Sequence, residues 1–310
     1  MRGMLAIVIL VALAAPAPPA RAIDRNGFHL DSASVPVEEI RPGGPPRDAI
    51  PALDSPPTEK ASATSWGDDT LVLGVALGGE ARAYPVAILN WHELVNDRLG
   101  GREILVSYCP LCGTGLVFDR DLEGGVRHFG VSGLLYRSDV LFYDRESESL
   151  WSQIEARALT GRARGTRLHL LRSQMTRLAL WRQAHPETLV LARDTGYERD
   201  YSRNPYGSYS TSTSVMLHTK PDPRYHPKMP TLGVRTTSGR ARAYPAVEVA
   251  RAGGKVEERF AGRRVSVAYD PEAQLFHVEA DPELEVVEGY WFAWAAFHPQ
   301  SEVFTAPATP

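Results

Sequence analysis

The chain has few cysteines and no long uninterrupted apolar run. Two cysteines in 310 residues are too few for a disulfide-rich scaffold. No apolar stretch reaches the roughly 18 residues of a membrane-spanning helix. With 34 basic and 37 acidic residues, the net charge of -3 argues against general electrostatic binding of nucleic acid. The apolar fraction of 43% excludes a disordered chain, so we expect one large or two ordinary globular domains.

The first 22 residues have the pattern of a signal peptide. Arg2 supplies a positive start, residues 4–15 form a short apolar run, and Ala20-Arg21-Ala22 offers a small-x-small cleavage pattern. We therefore expect an exported protein, periplasmic or secreted, with no stable membrane insertion once the peptide is cleaved. An uncleaved membrane anchor is the alternative interpretation of the same segment.

An internal repeat organises the rest of the chain. The sequence Ala-Arg-Ala-Tyr-Pro occurs at 81–85 and again at 241–245, 160 positions later. A five-residue identity in matching context indicates an internal duplication. We predict a β-rich α+β fold of two related modules joined by an insertion. The predicted segments are a proline-rich extended arm (23–66), a first module (67–150), an insertion with a long polar and aromatic loop (151–230) and a second module (231–310).

Local patterns predict the main elements of the first module. Alternating apolar residues on both sides of Gly78-Gly79 predict a β-hairpin. The segment Ile88–Leu99 is predicted to be helical, and Glu103–Tyr108 is predicted to be a buried strand leading into the cysteines. A further helix is expected at Met175–His185.

The two copies differ most at the turn that follows this strand. The first copy reads Tyr-Cys-Pro-Leu-Cys at 108–112, whereas the second reads Tyr-Asp-Pro-Glu-Ala at 269–273. The second turn therefore forms without cysteine, which favours a chemical role for Cys109 and Cys112 over a structural one. A disulfide across so short a loop would add little loop-closure entropy.

Three interpretations of the Cys-x-x-Cys turn remain open. It could bind a thiophilic metal, copper or zinc, with His92 and His298 as the favoured nitrogen ligands. It could be a redox-active dithiol with Cys109 and Cys112 as catalytic residues. It could also be an inert pair in a structural module. As an enzyme the protein would be an oxidoreductase, and the alternative is a non-catalytic metal-binding protein of the envelope.

Each interpretation predicts a different geometry. A metal site should bring both sulfurs and a histidine nitrogen to about 2.0–2.3 Å from a common point. A redox dithiol should expose Cys109, and an inert pair should be buried and bonded. Gly113 stands where a c-type haem site needs histidine, and no second Cys-x-x-Cys completes a zinc ribbon.

Other polar and aromatic residues are candidates for binding a small-molecule substrate. They are Glu93, Asp144, Arg145, Trp151, Asp194 and Asp200. Turn capping, surface ion pairs and core packing would explain the same residues without any ligand. There is no phosphate-binding glycine loop, no G-x-S-x-G and no H-E-x-x-H. The expected partner is a small molecule, a metal or an envelope protein.

Several motifs resemble a prokaryotic family of unknown function, DUF3179, over nearly the whole mature chain. They lie at 43–46, 90–97, 108–115, 129–133, 144–145, 150–153, 194–197, 199–201, 291–294 and 297–299. The cysteine turn makes this resemblance specific. The resemblance implies membership in the family and brings no established activity with it.

Overall fold

A computed structural model describes residues 23–216 and 220–307 of the chain. Of these residues 42% lie in strands and 12% in helices, which agrees with the predicted β-rich α+β class. The proposed signal peptide lies outside the described residues. Among the described helices, none is long and apolar enough to cross a membrane.

The elements follow one another along the chain as short strands with four α-helices between them. The N-terminal arm contains β1 to β5 at Asp24–Arg25, Phe28–His29, Ile40–Pro42, Leu53–Asp54 and Thr58–Lys60. Next come β6 (Leu71–Leu77), β7 (Glu80–Pro85), α1 (Val86–His92), β8 (Leu94–Leu99), β9 (Arg102–Cys109) and β10 (Thr114–Asp119).

The middle of the chain adds nine strands and one α-helix. They are β11 (Asp121–Leu122), β12 (Gly125–Val126), β13 (Phe129–Tyr136), β14 (Asp139–Asp144), β15 (Leu150–Ser152), β16 (Arg157–Ala158), β17 (His169–Leu171), β18 (Gln174–Arg177), α2 (Leu178–Ala184) and β19 (Leu189–Leu191). The C-terminal part contains β20 (Pro230–Arg235), β21 (Ala241–Pro245), α3 (Ala246–Arg251), β22 (Lys255–Phe260), β23 (Arg263–Asp270), β24 (Leu275–Ala280), β25 (Glu285–Tyr290), α4 (Trp291–Phe297) and β26 (Glu302–Val303).

Two groups of elements have the same order and pairing. We call β6 to β10 with α1 the first unit, and β20 to β24 with α3 the second unit. Each begins with an antiparallel hairpin, continues through a short helix and ends in an antiparallel sheet, β8-β9-β10 or β22-β23-β24. The first hairpin sheet has the order β18-β6-β7-β19-β5, and its first four strands match the second sheet, β25-β20-β21-β26.

The same close contact recurs above each hairpin. The ring of Trp181 from α2 lies so close to Gly74 that a Cβ there would be 2.5 Å from it. Trp294 from α4 covers Gly233 in the same way, at 2.0 Å from the corresponding Cβ. Both indole N–H groups donate to a hydroxyl seven residues later, of Thr188 and Ser301. Glycine at both positions is therefore required by space rather than by backbone conformation.

The helix predicted at Ile88–Leu99 is wrong in its second half. Helix α1 ends at His92, and residues 94–99 instead form β8, which pairs with β9 and with the arm strand β4. Residues 88–92 are helical, as predicted. Similarly, the helix predicted from Met175 begins only at Leu178, because Gln174–Arg177 pairs with β6. In both places pairing with a distant strand overrides a helical pattern.

The arm and the insertion both contribute strands to the body. Strands β3, β4 and β5 of the arm pair with β13, β8 and β19 respectively. From the insertion, β18 and β19 flank the first hairpin. The predicted module boundaries remain predictions. Described parts of the long segment between β19 and β20 contain no strand and one short 3-10 turn at Tyr209–Thr211.

Candidate functional site

The two cysteines and one aspartate meet in the interior. Cys109 is the last residue of β9, Cys112 lies in the turn before β10, and Asp139 begins β14. One ligand atom from each lies within 4.8 Å of the other two, and none of the three residues is more than 1% exposed. Both cysteines are free. We call Cys109, Cys112 and Asp139 the thiol-carboxyl cluster.

Burial favours the protonated forms of all three groups. It raises the pKa of the Cys109 thiol and raises that of Cys112 well above the ordinary value. It also raises the pKa of Asp139 to about 7. Cys112 donates a hydrogen bond from its thiol to the Ser138 carbonyl at 3.3 Å. In a medium of low dielectric constant, ionising three neighbouring acids without a cation is unfavourable.

The Asp139 carboxyl is only partly satisfied. Its Oδ2 accepts a hydrogen bond from the Ile154 backbone N–H at 3.1 Å. Its Oδ1 is completely buried and accepts no hydrogen bond of normal geometry from any described residue. Hydrogen bonding to the carboxyl from the Ile154 and Val140 N–H groups and from the two thiols lowers its pKa, but burial outweighs this effect. An orphaned buried oxygen beside two free thiols is the most unusual feature of the site.

The C-terminal part of the chain closes over the cysteine turn. Tyr290, the last residue of β25, donates its backbone N–H to the Cys112 carbonyl at 2.8 Å. Its ring lies against Gly113, where a Cβ would come within 2.8 Å of it. Arg235 reaches the site from β20, since its Nη1 donates to the Ile154 carbonyl at 2.5 Å. Strands far along the chain thus hold the turn and its aspartate.

A buried lysine lies on the same side. Lys228 is 4% exposed, and its ammonium group donates to the Ser214 carbonyl at 2.6 Å. It also lies 3.8 Å from the ring centroid of Tyr209 and 4.8 Å from that of Phe292. Burial lowers the pKa of Lys228 to about 8, although proximity to Cys112 acts in the opposite direction. Sequence reasoning did not single out this residue.

The structure does not bring the two predicted histidine ligands into the cluster. His92 is fully buried, with Nδ1 2.8 Å from the Pro51 carbonyl and Nε2 2.7 Å from the Tyr201 hydroxyl. His298 packs against Trp294, and its Nε2 is buried without a hydrogen-bond partner among the described residues. Burial lowers its pKa to about 3. The third group beside the sulfurs is Asp139, which sequence reasoning missed.

Most of the predicted substrate-binding residues are engaged within the protein. Asp144 accepts hydrogen bonds from the Trp151 indole at 2.9 Å and from the Ser147 backbone at 2.7 Å. Arg145 forms a two-point ion pair with Asp48 at 3.0 and 3.1 Å. These contacts agree with the structural explanation, and a substrate role for these three residues stays a prediction.

Two of the remaining candidates fix local turns on the surface. Asp194 accepts a hydrogen bond from the Gly196 backbone at 3.1 Å, and Asp200 accepts one from the Ser202 backbone at 3.0 Å. Both are turn-forming contacts typical of aspartate. A substrate role for either residue stays a prediction.

Glu93 alone among these candidates lies near the cluster. It is 7% exposed and accepts a hydrogen bond from the Tyr206 hydroxyl at 3.2 Å. Burial raises its pKa to about 7, and the nearby Asp139 acts in the same direction. Its backbone carbonyl accepts from the Tyr108 N–H, next to Cys109.

Comparison with known proteins identifies the family. A family model described as a protein of unknown function (DUF3179) matches residues 47–285, most of the chain. The chain belongs to the DUF3179 family. The matched region contains the whole thiol-carboxyl cluster and Glu93, whereas His298 lies beyond it. No curated protein and no solved structure matches this DUF3179 chain.

Proposed function

We propose that the thiol-carboxyl cluster holds one thiophilic metal ion, zinc or copper, in an exported protein. The observation that carries the proposal is the fully buried Oδ1 of Asp139, which has no hydrogen-bond partner among the described residues. It lies beside two cysteines that form no disulfide. A divalent or soft monovalent cation would supply the missing partner. Thiolate sulfur is the ligand type that selects zinc and copper(I) over magnesium or calcium.

Charge balance supports a cation at this position. Three acidic groups with raised pKa values lie together in the interior. They would lose their protons when a metal binds, because thiolate and carboxylate are the coordinating forms. Two sulfurs and one oxygen leave a position free in a tetrahedral shell, the pattern of a catalytic site rather than a closed structural one. As an enzyme the protein would be an oxidoreductase, and a non-catalytic envelope metal carrier is the alternative.

A redox-active dithiol is the second candidate. It is favoured by the proximity of two free sulfurs, which could form a disulfide with a small movement of the turn. Two observations weigh against it. Both sulfurs are buried, and their raised pKa values leave little of the thiolate that attacks a disulfide. The metal interpretation accounts for Asp139 and the dithiol interpretation does not.

Export and internal duplication are part of the same proposal. The signal-peptide pattern supports export, and an oxidising compartment would make a metal useful for protecting two neighbouring thiols. The repeated Ala-Arg-Ala-Tyr-Pro and the matching strand orders support an origin of the two units by duplication. On that view the second unit kept the fold and has no cysteines.

Metal analysis of the full-length exported protein tests the proposal. Protein purified without chelators is loaded with zinc or, anaerobically, with copper(I), and bound metal and free thiols are counted per chain. We expect about one ion per chain, and loss of that ion in the Cys109→Ser/Cys112→Ser variant. The exposed Asp200→Asn variant is the matched control. Absence of stoichiometric metal from the wild type, together with a reversible disulfide, would refute the metal site and leave the dithiol.

A further inference from the structure

A small cavity lies beside the cysteine turn, and Leu111 and Val140, which are adjacent in sequence to members of the cluster, form part of its wall. It has a volume of about 120 Å³. Its apolar walls include Ile50, Leu111, Leu135 and Val140, and its polar groups come from Glu93 and Tyr206. Leu111 lies between the two cysteines in sequence, and Val140 follows Asp139. An engineered apolar cavity of about 150 Å³ holds benzene, so this one has room for roughly five non-hydrogen atoms.

The backbone of Glu93 is in a conformation that disfavours glutamate. Its φ is +59° with ψ of -36°, in a region that side-chain-bearing residues rarely adopt. Strained residues of this kind cluster at functional sites.

The second unit shows what this position needs for folding alone. The Glu93 N–H donates to the Leu89 carbonyl, and the Glu93 carbonyl accepts from Tyr108. In the second unit the Gly254 N–H donates to the Val249 carbonyl, and the Gly254 carbonyl accepts from Tyr269. Gly254 has φ of +83°, which glycine adopts without strain. The Gly254 hydrogen bond spans five residues and the Glu93 bond spans four, but both turns need a positive φ. The turn itself therefore does not require the glutamate side chain.

The carboxyl of Glu93 has bonding capacity left for a ligand. Among the described residues, the Tyr206 hydroxyl is its one hydrogen-bond partner, at Oε1. Burial favours the neutral acid, whose O–H is a donor. A neutral ligand with an acceptor oxygen would satisfy that donor without bringing a charge into apolar walls.

We propose that this cavity binds a small, uncharged, mainly apolar carbonyl compound, and that Glu93 donates a hydrogen bond to its oxygen. The ligand would lie against Leu111 and Val140, next to the thiol-carboxyl cluster. The site is separate from the metal site and does not require it.

Three probes of equal size test the chemical class. Butan-2-one, 2-methylbutane and butan-2-amine each have about five non-hydrogen atoms, and their binding to the full-length protein is measured by ligand-observed NMR. We expect the ketone to bind more tightly than the hydrocarbon by up to about tenfold, the net value of one buried hydrogen bond. Equal binding of ketone and hydrocarbon, or a preference for the amine, would refute the proposal.

Two variants with the same backbone strain isolate the hydrogen bond. Glu93→Gln keeps a donor at the same distance, and Glu93→Met has a similar length without one. We expect the glutamine variant to bind butan-2-one within about threefold of the wild type, and the methionine variant to lose the preference for the ketone over 2-methylbutane. An unchanged preference in the methionine variant would contradict the assignment.

A third variant separates function from folding. Glu93→Gly relieves the positive φ, so we expect an equal or higher melting temperature together with loss of ketone binding. A lower melting temperature with unchanged ketone binding would show that Glu93 is structural. Metal content is measured for all three variants and should equal that of the wild type, so failure of the metal proposal and failure of the cavity proposal give different results.

Discussion

The two units have the same strand and turn, yet they use the turn differently. In the second unit Asp270 is exposed and accepts hydrogen bonds from the backbone of Glu272 and Ala273 at 2.9 and 3.0 Å. The turn there is closed by its own aspartate. In the first unit Cys109 occupies the equivalent position in the interior, where it meets Cys112 and Asp139. The same strand and turn therefore form an exposed turn closed by its own aspartate in the second unit. In the first unit they place two cysteines and an aspartate together in the interior.

A similar contrast occurs two strands earlier, before β8 and β22. Glu93 and Gly254 both donate their N–H groups to a helix carbonyl, four and five residues back respectively, and both have positive φ, which glycine adopts without strain. Both departures in the first unit, the cysteine pair and the strained glutamate, lie on the same side of the molecule. Under the proposed duplication, the second unit serves as an internal reference for what the fold requires.

The largest expected effect comes from replacing the two cysteines of the first unit. We expect Cys109→Ser/Cys112→Ser to remove the bound metal and to lower the melting temperature of the loaded protein by more than about 10 °C, because metal binding contributes to folding free energy. Asp270→Ser in the second turn should leave metal content unchanged. Calorimetry of loaded protein measures both variants. Metal loss in Asp270→Ser would show that the units are not separate in function.

Two buried carboxyls should each lower the stability of the metal-free protein as pH rises. Asp139 and Glu93 have pKa values of about 7 in the folded protein, above those of the unfolded chain. Between about pH 4 and pH 7 these two groups bind more protons in the folded state, so their contribution to the free energy of unfolding falls by up to a few kcal/mol. The buried His298, with a pKa lowered to about 3, acts in the opposite direction, so the carboxyl contribution is isolated by substitution.

Urea titrations of metal-free protein across this range measure the effect. Asp139→Asn should flatten part of the slope, whereas Asp270→Asn in the second unit should not. An Asp139→Asn variant with the same pH slope as the wild type would contradict the burial of the Asp139 carboxyl in neutral form.

The two tryptophan-covered glycines should respond alike. Gly74→Ala and Gly233→Ala each introduce a Cβ into an indole ring, at 2.5 and 2.0 Å. We expect each substitution to destabilise the protein by about 1–3 kcal/mol, with the larger cost at Gly233. Chemical denaturation measures both, and Gly67→Ala, with no heavy atom within 4 Å of its Cβ and no positive φ, controls for the change of residue type. A large effect at only one position would show that the hairpin sheets pack differently.

The smallest expected effect concerns backbone conformation alone. A Cβ added at Gly254 would have its nearest non-neighbouring heavy atom at 3.7 Å, so Gly254→Ala adds strain without a clash. We expect a loss of about 1 kcal/mol, the reverse of the change expected for Glu93→Gly. A lower free energy of unfolding for Gly254→Ala and a higher one for Glu93→Gly would confirm that the first unit has backbone strain that the second lacks.

Local sequence patterns were sufficient for the β-rich class, for the hairpin around Gly78-Gly79 and for the position of the Cys-x-x-Cys turn. They failed where distant segments decide the structure. Residues 94–99 have spacing compatible with a helix but pair with β9 and β4. Asp139 is brought to the cysteines by a tight turn at Arg137 and Ser138, both at positive φ, in a separate hairpin.

The prediction for His92 shows the same limit of local sequence patterns. His92 does lie on the buried face of α1, as its apolar neighbours indicated. Its partners, the Pro51 carbonyl and the Tyr201 hydroxyl, come from the arm and from the segment after β19. Neither segment has a periodic pattern that would place it against α1, so helical spacing alone could not show which groups the imidazole meets.

The hydrogen bond from Tyr290 to Cys112 has a consequence for the order of events during synthesis. The cysteine turn is complete in the chain long before β25 has been made, but its last carbonyl lacks its partner until Tyr290 arrives. Arg235, which supports the Ile154 backbone beside Asp139, also belongs to the late part of the chain. A nascent chain therefore presents two thiols without their final scaffold, and we expect a correctly shaped metal site to appear only after the C-terminal strands have docked.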